Sequence, residues 1–191
     1  AQQAPASESA FTAIEWMLRH PRAWYVEPGL PALVLLLKHH GTNMNIGPLV
    51  ATIGYFLPIE EYPFHAPAVD LLRAVARHNP DRTARGNAML GLARLEKRGF
   101  SRVESKGGSE AARLAAKTIA AFEQVVRDYG DCPDLRTLGL RPSGATLAEE
   151  AQSELRELRQ IRLGVLAPEI AGRDLPGRPL KLSDHRGQVV L

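Results

Sequence analysis

Residues 68–99 read AVDLLRAVARHNPDRTARGNAMLGLARLEKRG, and their spacing decides the fold class. Ala68, Leu71, Leu72 and Val75 share one face of a helix. That helix should end near Asn79-Pro80, because a residue before proline avoids the helical region. Ala84, Ala88, Leu92 and Leu95 make a second stripe, closed by Lys97, Arg98 and Gly99. Cations in a last turn oppose the negative end of the helix dipole, and a glycine just beyond permits a left-handed cap. The second helix is therefore expected to stop at Gly99. Its small alanines let the first helix approach closely, and the short turn makes the pair antiparallel.

Working outward, Phe100–Ser109 reads as a Gly/Ser/charged loop, followed by a helix from about Glu110 to Tyr129. Ala115, Ile119, Phe122, Val126 and Tyr129 recur at helical spacing and should form its buried face. Gly130 ends it, and residues 131–145, rich in Pro, Gly and Asp, read as an extended loop. Thr146-Leu147-Ala148-Glu149 is a capping box, in which the first side chain accepts from the fourth residue's N–H and the fourth reaches back. Leu147, Ala151, Leu155 and Leu158 then form the stripe of a last helix ending at Gly164. Upstream, residues 1–9 read as a flexible lead. Phe11, Ile14 and Leu18 make a helix closed by His20-Pro21. Residues 29–39 also read as helix, since a Leu-rich run of that length favours helix over strand and Pro31 is tolerated in a first turn. Asn45–Phe56 is ambiguous and leans to helix.

The two paired helices resemble a tetratricopeptide-type hairpin, and a weak internal repeat supports a second one. Phe122–Val126 sits where Leu72–Ala76 sat, and Ala151, Leu155 and Leu158 fall where Ala88, Leu92 and Leu95 fell. The expected fold class is mainly α: antiparallel helical hairpins in a TPR-like array, with a short β-hairpin at the C-terminal end.

The chain has 191 residues, 45% hydrophobic and 24% charged, with a net charge of +3. That is enough apolar surface to offset the entropy of ordering. No block of five or six like charges occurs, and basic residues are not interleaved with aromatics, which argues against nucleic acid as a partner. Leu30–Leu37 is too short to span a membrane, and Ile46–Ile59 is interrupted by Pro48 and Pro58. No transmembrane segment is expected. The small, polar start at Ala1 fits a mature terminus left after removal of a signal peptide, so an exported location outside the cytoplasm is expected.

No residues are nominated as catalytic, cofactor-binding or metal-binding. Cys132 is the sole cysteine, sits in a loop and reads as an incidental thiol. His39-His40 closes a helix, and His20, His65 and His78 lie near prolines, with no Cys/His cluster. Gly107-Gly108 is too isolated to be a phosphate loop. Glu149, Glu150, Glu154 and Glu157 read as a solvated face pairing with Arg156 and Arg159. Trp16, Trp24, Tyr25, Tyr55, Phe56, Tyr62 and Phe64 read as core of the N-terminal helices, with a partner groove as the alternative.

The character changes after Gly164. Leu175-Pro176-Gly177-Arg178 signals a type II turn, with strands expected at Glu169–Asp174 and Arg178–Leu182. Ala167-Pro168-Glu169 and the run from Gly177 through Leu182-Ser183-Asp184, Arg186-Gly187 and Val189-Val190-Leu191 resemble the opening of a redoxin domain of the TlpA/ResA or alkyl-hydroperoxide-reductase (AhpC/TSA) type. The likeness covers residues 164–191, so residues 10–163 stand as a separate helical domain. In that family the reactive cysteine lies beyond the position of Leu191. The resemblance therefore implies a non-catalytic helical domain of an exported thiol–disulfide oxidoreductase, serving protein partners or self-association. The alternatives are a peroxiredoxin-type parent and a stand-alone helical scaffold.

Overall fold

The computed structural model describes residues 4–18, 29–56, 62–138, 141–142, 144–160, 166 and 168–188. They are mainly helical. The helices are α1 (Glu8–Leu18), α2 (Gly29–His39), α3 (Gly47–Phe56), α4 (His65–His78), α5 (Arg82–Glu104), α6 (Gly108–Tyr129) and α7 (Leu147–Gln160). The strands β1 (Thr137–Leu138) and β2 (Arg141–Pro142) pair antiparallel, as do β3 (Ala171–Arg173) and β4 (Pro179–Lys181). Contacts divide the chain into two units, Ala1–Leu155 and Arg156–Leu191, with the division inside α7. The helix ends expected at His20-Pro21 and Gly164, the segment around Pro58, Trp24, Tyr25 and Val189–Leu191 lie outside the described residues.

The α4–α5 hairpin forms as its sequence requires. Asp81 caps α5, its carboxylate accepting from the N–H groups of Thr83 at 3.2 Å and Ala84 at 2.8 Å. Asn79, buried in the turn, accepts from Asp81 N–H at 2.9 Å and donates to the carbonyls of Gly41 and Asn43, both at 2.9 Å. One side chain thus fixes the turn and ties it to the segment after α2.

The helix does not stop at Gly99. α5 continues to Glu104, and the break falls at Gly107 and Gly108, whose φ values of +65° and +77° only glycine adopts freely. The reason is Phe100, which is 3% exposed. Burying a phenylalanine is worth about 1.5–3 kcal/mol, more than the roughly 1 kcal/mol that a mid-helix glycine costs.

α5 is the axis of the first unit, with α3, α4 and α6 packed along it. Two glycines permit the α3 crossing: a methyl group built on Gly91 would lie 2.8 Å from the Cα of Gly54. On α6 the buried face is Ala111, Ala115, Thr118, Phe122 and Val125, one residue out of phase with the expected stripe beyond Ala115 and Phe122. Ile119, Val126 and Tyr129 are only half-buried. Thr118 is tolerated inside because its hydroxyl donates to Leu114 O at 2.8 Å within the helix. In α7 the expected residues Leu147, Ala151, Leu155 and Leu158 are all buried. Its capping box forms: Glu149 accepts from Thr146 N–H at 2.7 Å, and Glu149 N–H donates back at 3.3 Å.

Three further expectations are corrected. Residues 4–7 form a turn and α1 begins at Glu8, where Ser7 Oγ accepts from Ala10 N–H at 3.1 Å. Residues 131–145 are not simply extended: they hold the β1–β2 hairpin and a Pro133–Thr146 bridge. Of the described aromatics in the expected N-terminal core, only Phe64 is buried; Trp16, Tyr55, Phe56 and Tyr62 are exposed, because aliphatic residues such as Leu33, Leu36, Ile46 and Leu49 fill the interior.

In the second unit the β3–β4 hairpin pairs Ala171 with Lys181, Gly172 with Leu180 and Arg173 with Pro179. Its strands are shorter than expected. The turn is centred one residue earlier: Gly177 N–H donates to Asp174 O at 2.8 Å, and Gly177 takes φ +89° after the turn's central pair.

Candidate functional site

Among the described residues no group of three or more His, Cys, Asp or Glu side chains is placed to hold a metal ion. No helix there is long and apolar enough to cross a membrane. Cys132 is 4% exposed and lies under Arg82, whose guanidinium donates to Sγ at 3.3 Å, to Asp131 at 2.7 and 2.8 Å and to Asp128 O at 2.7 Å. The hydrogen bond from Arg82 holds the Asp131 carboxyl below its usual range. His40 is buried too, with Nε2 at 2.7 Å from Pro5 O and its ring 5.5 Å from that of Phe11. Its position is that of an anchor for the N-terminal turn.

The acidic face of α7 is not simply solvated. Glu150 and Glu154 turn inward onto α5, where Arg94 donates to Glu150 at 2.7 Å and to Glu154 at 3.1 Å. Lys97 donates to the second oxygen of Glu154 at 2.8 Å. Arg136 lies 2.8 Å from both Glu150 and Asp134. The ring of Tyr55, at the end of α3, carries the guanidiniums of Arg94 and Arg136 at 5.3 and 4.3 Å. Arg98 donates to Tyr55 O at 2.7 Å. Burial, followed by the nearby charge of Arg94, lowers the pKa of Arg98. At Glu154 burial opposes ionisation, but the hydrogen bonds and charges of Lys97 and Arg94 outweigh it, and the carboxyl stays below the usual glutamate range.

This cluster is a clamp. It fastens the start of α7 and the 131–146 excursion to α5. Each of its three carboxylates faces at least one cation, so none is set up as a general base. The Asp134–Arg136 contact is close but poorly aligned, leaving Asp134 Oδ2 and Arg136 Nε without a hydrogen-bond partner. The sequence held one signal for it. Glu150 and Glu154 immediately precede buried Ala151 and Leu155, at the edge of the apolar stripe rather than opposite it.

On a different face of α5 lies a trough. Leu92 is two residues from Arg94, about 200° around the helix. Leu92 and Leu95, expected inside the hairpin, are only half-buried, because α4 and α6 flank α5 without closing over it. The trough encloses about 350 Å³. Its floor is Met89, Leu92, Ala93 and Leu95; its walls are Arg73, Ala76 and Arg77 of α4 and Lys117 and Ala121 of α6. Glu96 is the one acidic residue lining it among the described residues and pairs with Lys117 at 2.8 Å. Arg73 meets Asp70 of its own helix at 3.4 Å, and Arg77 has no ion-pair partner among the described residues.

Such a surface, apolar along its floor and cationic along one wall, can bind another molecule. Comparison of the chain with protein-family models, with curated proteins and with solved structures gave no match.

Proposed function

We propose that this chain is a partner-binding helical module, without catalysis of its own, of an exported thiol–disulfide oxidoreductase of the TlpA-like redoxin type. The observation that carries the binding part is the trough on α5, an apolar floor left half-exposed between two helices. Helix hairpins commonly present such faces to other proteins. The burial of the sole cysteine under Arg82 supports a non-catalytic role. The redoxin part rests on the residues quoted above from 167 to 191. The antiparallel hairpin at Ala171–Lys181, with its glycine turn, is compatible with it.

The deciding experiment is to follow the reading frame beyond residue 191 and assay the product. A Trp-Cys-x-x-Cys motif with dithiol exchange activity supports this reading. A Pro-x-x-x-Thr/Ser-x-x-Cys motif with peroxide reduction replaces it by the peroxidase. A frame with neither motif refutes both redoxin parents. Deleting residues 1–160 from the active product should change which proteins are captured as mixed disulfides while leaving reduction of a small disulfide unchanged. Self-association is a second reading, favoured by the exposed apolar side chains Leu166, Ile170, Leu175 and Leu180 of the C-terminal unit. Sedimentation of the chain as a monomer at micromolar concentration would remove it.

A further inference from the structure

We infer that the trough between α4 and α6 receives an acidic amphipathic helix of a partner protein. This deepens the partner-binding reading and depends on it, but not on any redox chemistry.

The floor sets the size of the guest. Met89, Leu92 and Leu95 follow one another along α5 over six residues, about 9 Å or close to two helical turns. All three are half-buried although fully apolar. Ala76 and Ala121 on the walls are small, so a guest helix can come as near to α5 as helices ordinarily pack, about 8–10 Å between axes. An apolar residue at each turn of the guest would fill the 350 Å³.

The walls set its charge. Among the described residues the lining carries Arg73, Arg77 and Lys117 against Glu96. Lys117 is neutralised by Glu96, which leaves the excess on the α4 wall. Arg73 and Arg77 are four residues apart on one helix, where like charges repel. The helix dipole accounts for a cation at Arg77 in the last turn of α4, but its influence does not reach Arg73. Asp70 touches Arg73 only at 3.4 Å across exposed surface. A guest carboxylate beside the two guanidiniums removes the repulsion, whereas a basic guest adds to it. The floor would accept any apolar helix; the α4 wall selects the acidic one.

The test uses the full chain and two fluorescein-labelled amphipathic peptides of about 16 residues, long enough to form helix when bound. One carries Leu at helical spacing flanked by Glu; the other has Lys at every Glu position. Anisotropy should rise with the acidic peptide, less so as salt is added, and far less with the basic one. Arg73→Glu with Arg77→Glu should reverse the preference, weakening the acidic peptide on the order of tenfold, because attraction becomes repulsion. Leu92→Asn should weaken both peptides. Equal affinity for the two peptides, no binding of either, or a preference unchanged in the double variant overturns the inference. Far-UV circular dichroism checks that each variant is folded. If the double variant is not, Arg77→Ala at two salt concentrations reads the same effect. A downstream frame lacking a cysteine motif would remove the redox parent and leave this result standing.

Discussion

Gly91→Ala places a methyl group where the chain has no room, and the structure supplies its control. At Gly91 the new carbon would lie 2.8 Å from the Cα of Gly54, a backbone atom that moves only if α3 and α5 separate. Ordinary carbon contacts are about 3.5–4.0 Å, so the helices must part by about 1 Å. Overpacking of this kind costs roughly 1–3 kcal/mol. Against it stands the preference of helices for alanine over glycine, about 1 kcal/mol. At Gly99, in the same helix, a methyl group meets nothing within 4 Å, so only the second effect operates. Gly99→Ala should therefore stabilise by about 0.5–1 kcal/mol. The difference between the two variants isolates the packing term. In a chain of this size each kcal/mol moves the melting midpoint by about 2–4 °C, so Gly91→Ala should melt roughly 2–12 °C below Gly99→Ala. Thermal and urea unfolding followed by far-UV circular dichroism read both. Gly54→Ala combined with Gly91→Ala should cost less than the sum of the single changes, since helices already parted admit the second methyl group. Equal stability of Gly91→Ala and Gly99→Ala would refute the close crossing. A loss on Gly99→Ala would mean that α5 ends there in a left-handed cap, as its sequence suggests.

Asp81→Ala removes two hydrogen bonds at the start of α5 and should lower stability by about 1 kcal/mol, whereas Asp81→Asn, which keeps an acceptor, should lose less; chemical denaturation distinguishes them. Glu154 has a folded pKa below its free value of 4.5, so its contribution is complete above that value and lost as pH falls through the folded one. Glu154→Gln should flatten the acid limb of the stability profile below about pH 5 and cost roughly 1–3 kcal/mol at neutral pH, because Arg94 and Lys97 lose a partner in a half-buried site. An acid limb unchanged by the substitution would show that the clamp does not titrate with folding.

What was legible in the sequence is what neighbours along the chain decide. The helix end at Asn79-Pro80, the Thr146–Glu149 capping box and the α7 stripe depend on residues near one another in sequence, and each formed; the Gly177 turn formed one residue earlier than its Pro-Gly pair suggests. Gly99 misled because the next residue, Phe100, has a buried place that no local rule reveals. The α6 stripe was displaced because Thr118 looks polar on paper and is satisfied within its own helix. Glu150 and Glu154 look solvated in the sequence because their partners, Arg94 and Arg136, lie on α5 and in the excursion before α7, outside the reach of helical spacing. The trough has the same origin. Leu92 and Leu95 have core periodicity, and only the separation of α4 from α6 leaves them half-uncovered.

The placement of α5 has a consequence for how the first unit opens. A helix of 23 residues with α3, α4 and α6 packed along it can lose any one neighbour and still be covered by the others. The 131–146 excursion and the start of α7 are held to α5 by ion pairs at one patch of its surface, by hydrogen bonds of Asn87 with Pro133 and Leu135, and by buried Leu147 packed at Gly86. Amide protons should therefore exchange as two populations, those of α5 only through global unfolding and those of the clamped excursion through a smaller opening. The ordered scaffold and the part that can detach from it then meet along a single helix, whose other face carries the trough.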